Sequence, residues 1–331
     1  MNYIFLIIGF FLLIKGADLF VDGASKIAKN LGVPTVIIGL TIVSLGTSAP
    51  ELAVSISASL KGSNDITFGN VLGSNLFNLL LALGCTAILV PLVIKKHIIK
   101  KDFIVNLLAT FVLYVFTFTG LIGSKNSLSR MDGLVLVLMC ITYIMYLIYT
   151  AKRSHKKEDE VALTSEFEDF EEQSIKPPNS TVKNIILSIV GVIGIILGGK
   201  IVVDSATVIA LGLGLSEKLV GLTIVAIGTS LPELVTSLVA AKKGENDIAL
   251  GNILGSNTFN ILLILGLSSV ISPITITKSL SIDLIFLIIV TLIIGALIFL
   301  NKKKEKVLTR YEGIFLLVLY IGYTVYIIMR N

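Results

Sequence analysis

Residues 46–78 read GTSAPELAVSISASLKGSNDITFGNVLGSNLFN, and residues 228–260 repeat that stretch as GTSLPELVTSLVAAKKGENDIALGNILGSNTFN. The copies lie 182 residues apart, since 228 − 46 = 182, and they agree at 21 of 33 positions without a gap. Each copy carries a Pro-Glu pair inside a long apolar segment. A charge is costly in such a segment, so the repeat predicts a two-fold-related ion site inside a membrane.

The composition of the chain indicates an integral membrane protein. Of its 331 residues, 54% are hydrophobic and 15% are charged, and the mean hydropathy is +0.94. A spanning helix needs about 20 mainly apolar residues. Ten stretches meet this requirement: residues 3–25, 33–59, 66–92, 103–123, 131–151, 183–210, 216–241, 248–272, 281–300 and 311–329. The sequence lacks the polar/apolar alternation of β-barrel strands, so we predict an all-α membrane protein with ten transmembrane helices.

The offset between the copies divides the chain into two halves of five predicted helices. The first half is residues 1–151, with its motif at 39–78, and the second is 183–331, with its motif at 221–260. Because five is odd, the second half must enter the membrane with the opposite polarity, as in inverted repeats. Residues 152–182 connect the halves, and their polar, first basic and then acidic composition is typical of a flexible linker.

The distribution of basic residues predicts the orientation of the chain. With ten spans in place, 19 of the 27 Lys and Arg residues lie on the side of the 152–182 linker. The positive-inside rule makes that side cytoplasmic, so both termini are expected outside, with the plasma membrane as the location. These basic residues cluster beside helix ends, so the net charge of +5 is a topology signal and no nucleic acid is expected as a partner.

Each Pro-Glu pair is expected to build an ion site at the middle of its span. Proline lacks an N–H and clashes with the carbonyl four residues earlier, which frees backbone carbonyls. Thr47 and Ser48 precede Glu51 by four and three residues, so their hydroxyls are expected on the same helical face. The candidate side chains all carry oxygen: Glu51, Glu233, Thr47, Ser48, Thr229, Ser230, Ser74, Ser256, Asn78 and Asn260.

The chemistry of these side chains favours a hard cation. Six to eight oxygen ligands at about 2.3–2.6 Å suit Ca²⁺, and the candidate set contains neither thiolate nor imidazole, which argues against zinc or copper. Cys85 and Cys140 stand alone in separate apolar segments, so no disulfide is predicted. Ser and Thr hydroxyls often bond back to their own helix, but that interpretation leaves two buried glutamates unexplained.

GTSAPE with GNVLGSNLFN, and GTSLPE with GNILGSNTFN, resemble the paired α-repeats of the sodium/calcium exchangers in the cation/calcium exchanger superfamily. The resemblance implies an antiporter, not an enzyme, that extrudes Ca²⁺ with the inward Na⁺ gradient and needs no cofactor. It implies that Glu51 and Glu233 are the central ligands and that hydroxyls or carbonyls of the neighbouring Thr and Ser residues serve Na⁺. The carbonyls of Ser44 and Ala226 would be in reach.

The same resemblance carries three further expectations. Some relatives have an aspartate where Asn260 stands, and the amide here argues against co-transport of K⁺. The first and sixth predicted helices would slide across the rest of the bundle. Because one chain contains both halves of the site, a monomer is expected to be sufficient for transport, with Na⁺, Ca²⁺ and the lipid bilayer as its partners.

Other functions remain open from the sequence alone. A Ca²⁺/H⁺ antiporter is the nearest alternative, since protonated glutamates can replace Na⁺. A passive cation channel would also use acidic and carbonyl ligands, although two inverted halves in one chain favour alternating access. An intramembrane hydrolase is disfavoured, because no histidine lies in a predicted span and no nucleophile with a base is evident.

Overall fold

The chain folds into a bundle of helices, which a computed structural model describes over residues 2–165, 181–214, 226–300 and 305–330. The helices of the first half are α1 (Asn2–Asn30), α2 (Thr35–Ile38), α3 (Ser44–Thr47), α4 (Ala49–Leu60), α5 (Asn64–Leu76), α6 (Leu83–Leu89), α7 (Lys96–Thr119) and α8 (Arg130–Ser165). Those of the second half are α9 (Thr181–Gly212), α10 (Ala226–Thr229), α11 (Leu231–Lys242), α12 (Asn246–Phe259), α13 (Gly266–Ile271), α14 (Lys278–Phe299) and α15 (Arg310–Arg330).

Within the described residues, eight helices are long and apolar enough to cross a membrane, and a bent pair makes a ninth. The prediction of an all-helical membrane protein is thereby confirmed, apart from four short strands. The bent pair is Thr35–Thr47 with Ala49–Leu60, which meet at 49°. The predicted span 216–241 lies partly outside the described residues, because the structure describes it only from Ala226 onward.

Both Pro-Glu motifs begin a new helix rather than lying within a continuous one. Pro50 and Pro232 occupy the first turn of α4 and α11, where a missing N–H costs nothing. The residues before these helices, Ser48 and Ser230, leave the helical conformation at φ −82°, ψ 6° and φ −91°, ψ 4°. Each serine therefore lies at a helix break that directs its side chain away from the preceding turn.

The second helices of the two motifs, α5 and α12, belong to the two most buried spans of the described residues. A π-helical segment, Phe77–Ala82, joins α5 to α6, and another, Asn260–Leu265, joins α12 to α13. Gly251 and Gly255 let α12 approach α2 and α3, since a Cβ on Gly251 would lie 2.7 Å from the carbonyl oxygen of Val36. These central helices hold the candidate ion-binding side chains away from lipid.

Two short antiparallel ladders join the halves. Strand β1 (Leu92–Lys95) pairs with β4 (Glu305–Leu308), and β2 (Ser127–Leu128) pairs with β3 (Ile274–Thr275). In each ladder, one strand comes from the first half and the other from the second. Helix α7 separates β1 from β2, so the ladders lie at opposite ends of the bundle.

Helices α1 and α9 pack antiparallel along most of their length. A Cβ on Gly16 would lie 2.6 Å from the backbone nitrogen of Ile195, and one on Gly198 would lie 2.5 Å from that of Leu13. No side chain fits in such a gap, so glycine is required where the two backbones cross.

The structure extends helix α8 into the predicted linker. We expected the helix to end near residue 151, but it continues to Ser165. The remaining linker residues, 166–180, lie outside the described residues.

Candidate ion-binding site

Two glutamates form the centre of the candidate site. Glu51, in the first turn of α4, and Glu233, in the first turn of α11, are both completely buried. Both carboxylates lie where the two halves meet, and each accepts a hydrogen bond from a serine of the opposite half. Bringing two acids together away from water is unfavourable unless a cation joins them.

The serine of each motif donates its hydroxyl hydrogen bond to the glutamate of the other half. Ser48 Oγ donates a hydrogen bond to Glu233 Oε1 at 2.9 Å, and Ser230 Oγ donates one to Glu51 Oε1 at 3.0 Å. We expected Ser48 beside Glu51 on one helical face, and the structure differs because the helix breaks at Ser48. The hydroxyl therefore points across the bundle to the other glutamate.

Asn252 of α12 forms three hydrogen bonds around the second motif. Asn252 Nδ2 donates to the backbone oxygen of Glu233 at 3.2 Å and to Ser237 Oγ at 3.0 Å, and Asn252 Oδ1 accepts from Thr47 Oγ1 at 3.0 Å. The same three bonds recur 182 residues earlier in sequence, where Asn70 bonds to Glu51 O at 3.4 Å, Ser55 Oγ at 3.0 Å and Thr229 Oγ1 at 3.5 Å.

The predicted amides Asn78 and Asn260 are fully buried and each is held by the opposite half. Asn78 Nδ2 donates to Asn257 Oδ1 at 3.1 Å, and Asn260 Nδ2 donates to Asn75 Oδ1 at 3.0 Å. The NH₂ group of each of these two amides is thus hydrogen-bonded, whereas its oxygen has no hydrogen-bond partner among the described residues.

Several buried oxygens at the site have no hydrogen-bond partner among the described residues: Glu51 Oε2, Glu233 Oε2, Asn78 Oδ1, Asn260 Oδ1 and Ser256 Oγ. An unpaired buried polar atom costs about 1–3 kcal/mol, and a charged one costs more. In native proteins nearly all buried polar atoms have a partner, and a bound ion or an ordered water molecule can supply the one that the chain lacks. Carboxylate, amide and hydroxyl oxygens together suit a hard cation such as Ca²⁺ or Na⁺.

Three further predicted ligands are Ser74, Ser44 and Ala226, and only the first adds a side-chain oxygen to the cluster. Ser74 is buried, and its hydroxyl lies 2.9 Å from Ser230 Oγ. Because the single proton of Ser230 goes to Glu51, Ser74 is the donor in this pair, and it adds an oxygen to the same cluster. The carbonyl of Ser44 already accepts a hydrogen bond from the backbone nitrogen of Ser48 at 3.0 Å. Thr47 Oγ1 lies 3.3 Å from the same carbonyl, but its single proton goes to Asn252 at 3.0 Å. Ala226 is the first residue of α10.

Four asparagines at this site escaped the sequence analysis: Asn70, Asn75, Asn252 and Asn257. The signal for them was present, because all four are identical between the two copies of the repeat at the 182-residue offset. The criterion that predicts site residues within one copy is helical spacing from a glutamate or a serine. That criterion does not find side chains whose partners lie in the other half.

The fold and the site together define a class of protein: a multi-pass helical membrane protein with a cluster of buried oxygen atoms at its centre. The sodium/calcium exchanger protein family model matches residues 1–150 and 183–329. The chain therefore belongs to the sodium/calcium exchanger family, and the resemblance noted in the sequence is confirmed.

Individual relatives agree with this assignment. The chain is 38% identical over 320 residues to the putative antiporter CaxA of Alkalimonas amylolytica, covering 97% of this chain and 96% of that protein. It is 34% identical over 345 residues to the sodium/calcium exchanger MaX1 of Methanosarcina acetivorans, covering 98% and 97%. The solved sodium/calcium exchanger of Methanococcus jannaschii superposes with a TM-score of 0.81 at 31% identity, covering 98% and 97%. These relatives are named as transporters.

Proposed function

We propose that this protein is a secondary active antiporter that exchanges Na⁺ for Ca²⁺ at the buried site between its two halves. The observation that carries the proposal is the pair of completely buried carboxylates, Glu51 and Glu233, each with one unpaired oxygen. Among the described residues, no Lys or Arg forms an ion pair with either carboxylate. The missing positive charge is supplied by the transported ion.

The charge of the site explains why two kinds of ion would exchange. One Ca²⁺ neutralises both carboxylates, and Na⁺ ions distributed over adjoining oxygens can do the same, so the two loads compete for one set of ligands. An empty site leaves two like charges in a medium of low dielectric, at a cost of several kcal/mol per ion. That cost disfavours the transition of the unloaded carrier and couples one ion flow to the other.

We further propose that the site lies near the bilayer midplane between two inverted repeats. The proposed units are residues 1–151 and 183–331, joined by the 152–182 linker on the cytoplasmic side. The reciprocal bonds of Ser48 with Glu233 and of Ser230 with Glu51 support a two-fold relation. Both termini would then lie outside the cell, as the distribution of Lys and Arg indicates.

The choice of Na⁺ rather than H⁺ as the counter-ion rests on the neutral oxygens around the carboxylates. A proton needs only the carboxylates, whereas Na⁺ needs several oxygen ligands, and Ser74, Ser256 and the paired motif hydroxyls provide them. Relatives support the same choice: MaX1 is named a sodium/calcium exchanger, and solved structures of the exchanger NCX_Mj were soaked with Na⁺ together with Ca²⁺ or Sr²⁺. Asn78 and Asn260, both amides, add no third charge that would favour K⁺.

The test is uptake of radiolabelled Ca²⁺ into proteoliposomes under opposed gradients of Na⁺, K⁺ and H⁺. We expect uptake that depends on internal Na⁺ and is indifferent to K⁺. Uptake driven by a pH difference without Na⁺ would instead identify a Ca²⁺/H⁺ antiporter. Ca²⁺ flux that ignores every counter-ion gradient would identify a channel.

A further inference from the structure

The four asparagines Asn75, Asn78, Asn257 and Asn260, which we call the amide ring, make a closed set of hydrogen bonds between the halves. Asn75 Nδ2 donates to the backbone oxygen of Asn257, and Asn257 Nδ2 donates to the backbone oxygen of Asn75, each at 3.3 Å. A backbone oxygen can only accept, so these two bonds fix which end of each amide is the NH₂ group.

That fixed orientation passes to the second pair of amides. Because Asn257 uses its NH₂ on a backbone oxygen, its Oδ1 faces Asn78, which must then present its own NH₂ at 3.1 Å. Asn75 imposes the same orientation on Asn260 at 3.0 Å. The carbonyl ends of Asn78 and Asn260 are left buried and unpaired.

We infer that Asn75 and Asn257 are positioning residues, which hold Asn260 and Asn78 with their oxygens available to the transported cation and their NH₂ groups turned away. The inference rests on the proposed function, in which Asn78 and Asn260 are ligands. Without its anchor, the NH₂ group of Asn78 is free to turn toward the unpaired carboxylate oxygens, and an arriving cation must displace it.

A double-mutant cycle tests this role. Asn257→Leu keeps the size of the side chain but removes the acceptor, and we expect the KM for Ca²⁺ to rise about tenfold. Adding Asn78→Asp removes the orphaned NH₂ group, because a carboxylate presents oxygen at both ends. The Asn78→Asp change should therefore improve the KM more in the Asn257→Leu background than in the wild type, where it faces Asn257 Oδ1.

The matched control is Asn75→Leu, the same substitution in the same ring. Asn75 positions Asn260, so Asn78→Asp should not rescue it, whereas Asn260→Asp should. If the effects on KM simply multiply in every combination, the asparagines only fill space and the inference is wrong. Absence of Na⁺-driven uptake in the wild type would instead contradict the proposed function.

A second, independent observation concerns the charged residues between α1 and the turn after α11. Lys243 Nζ lies 2.6 Å from Asp18 Oδ1 and 2.6 Å from Asp22 Oδ1, which ties the loop after α11 to α1. Partial burial alone would lower the pKa of Lys243, but hydrogen bonds to Asp18 and Asp22 outweigh it and the pKa is raised, so the ammonium stays charged. Glu245 adds an ion pair with Lys29 at 3.6 Å.

The corresponding place in the other half is open. At the 182-residue offset, Lys243 corresponds to Lys61, Asp22 to Asp204 and Asp18 to Lys200, so one carboxylate is replaced by an ammonium. Lys61, Lys200 and Asp204 form no ion pair with any other described residue, and all three line a cavity of about 630 Å³. The cavity also reaches Pro50 and Pro232, beside the two glutamates.

We propose that Lys243, Asp18 and Asp22 form a latch, an ion-pair cluster that holds one side of the protein closed. Lys200 keeps the other side open, because its ammonium occupies the position where Lys61 would need a second carboxylate. The structure is therefore biased toward the state in which the cavity is accessible. This proposal rests on alternating access but not on the identity of the ions.

Cysteine labelling without any ion gradient tests the latch. In a Cys85→Ala/Cys140→Ala background, Ser57→Cys places a thiol in the cavity, and Val239→Cys places one at the corresponding position on the closed side. An impermeant maleimide should label the former readily and the latter slowly. Lys200→Asp, which completes a latch around Lys61, should slow labelling at the cavity about fivefold.

Lys278→Asp is the matched control, because it makes the same charge change at an exposed residue outside the cavity. It should leave both labelling rates unchanged. Asp18→Lys should have the reverse effect of Lys200→Asp and speed labelling at Val239→Cys. Unaltered rates in both latch variants would overturn the proposal, even if Na⁺-driven transport were robust.

Discussion

Replacing Glu51 by Gln separates the charge of the site from its shape. Glutamine retains the size of the side chain and an oxygen that can accept the hydrogen bond of Ser230, now 3.0 Å from Glu51 Oε1. It removes one of two negative charges from a completely buried position. We therefore expect the protein to insert and fold, but not to bind Ca²⁺ with useful affinity.

The expected loss follows from the burial. Removing one partner of a buried, hydrogen-bonded ion pair costs about 3–5 kcal/mol, which corresponds to a roughly 150- to 5,000-fold weaker affinity at 1.36 kcal/mol per factor of ten. A ligand at one hundred times its Kd stabilises the wild type by about 2.7 kcal/mol. At the same concentration, the same relation leaves Glu51→Gln with about 0.3 kcal/mol or less.

The assay is the thermal unfolding of purified protein with and without Ca²⁺. For a chain of this size, 2.7 kcal/mol corresponds to about 4 °C in Tm, and this shift should vanish in Glu51→Gln and in Glu233→Gln. Without ions, both variants should be at least as stable as the wild type, because repulsion between the carboxylates is relieved. Glu312→Gln, a glutamate outside the site, should keep the full Ca²⁺ shift.

An undiminished Ca²⁺ shift in either site variant, or robust Na⁺-driven uptake, would refute the assignment of these carboxylates. A Ca²⁺ shift lost also in Glu312→Gln would show that the assay reports general stability rather than occupation of the site.

Three further predictions concern packing and capping. Arg330→Met removes the guanidinium that binds the buried Asp283 at 2.8 and 2.9 Å. It should cost about 3–5 kcal/mol and lower Tm, and Tm should recover when Asp283→Leu is added. Gly16→Ala places a Cβ 2.6 Å from the Ile195 nitrogen, so it should cost about 1–3 kcal/mol and slow Ca²⁺ uptake. Thr309 caps α15, because its Oγ1 accepts a hydrogen bond from the backbone nitrogen of Glu312 at 3.4 Å. Thr309→Ala should lower Tm by about 1.5 °C, for a loss of about 1 kcal/mol, with uptake unchanged.

The sequence was sufficient to predict the class of fold and the central pair of the candidate site. Composition and helix length depend on local properties, so they indicated a helical membrane protein directly. The exact match of Glu51 and Glu233 within a repeat placed both in equivalent surroundings, and the structure buries both. These predictions required no knowledge of how the halves pack.

Contacts between the halves could not be predicted in the same way. The spacing rule that assigned Ser48 to Glu51 assumes a regular helix, and the break at Ser48 sends its hydroxyl to Glu233 instead. Asn75 and Asn257 were missed because their partners are 182 residues away in sequence and no local period specifies them. The length of α8 also depends on more than apolarity, since charged residues beyond 151 continue the helix.

The two strand ladders limit how this protein can move. They are separated by α7, whose 24 residues span about 36 Å. Each ladder pairs a strand of one half with a strand of the other. Any motion of one whole half past the other would have to break the hydrogen bonds of both ladders at once. Helices α1 and α9 take no part in either ladder, so a displacement of this pair leaves every strand bond intact and costs less than moving one half past the other.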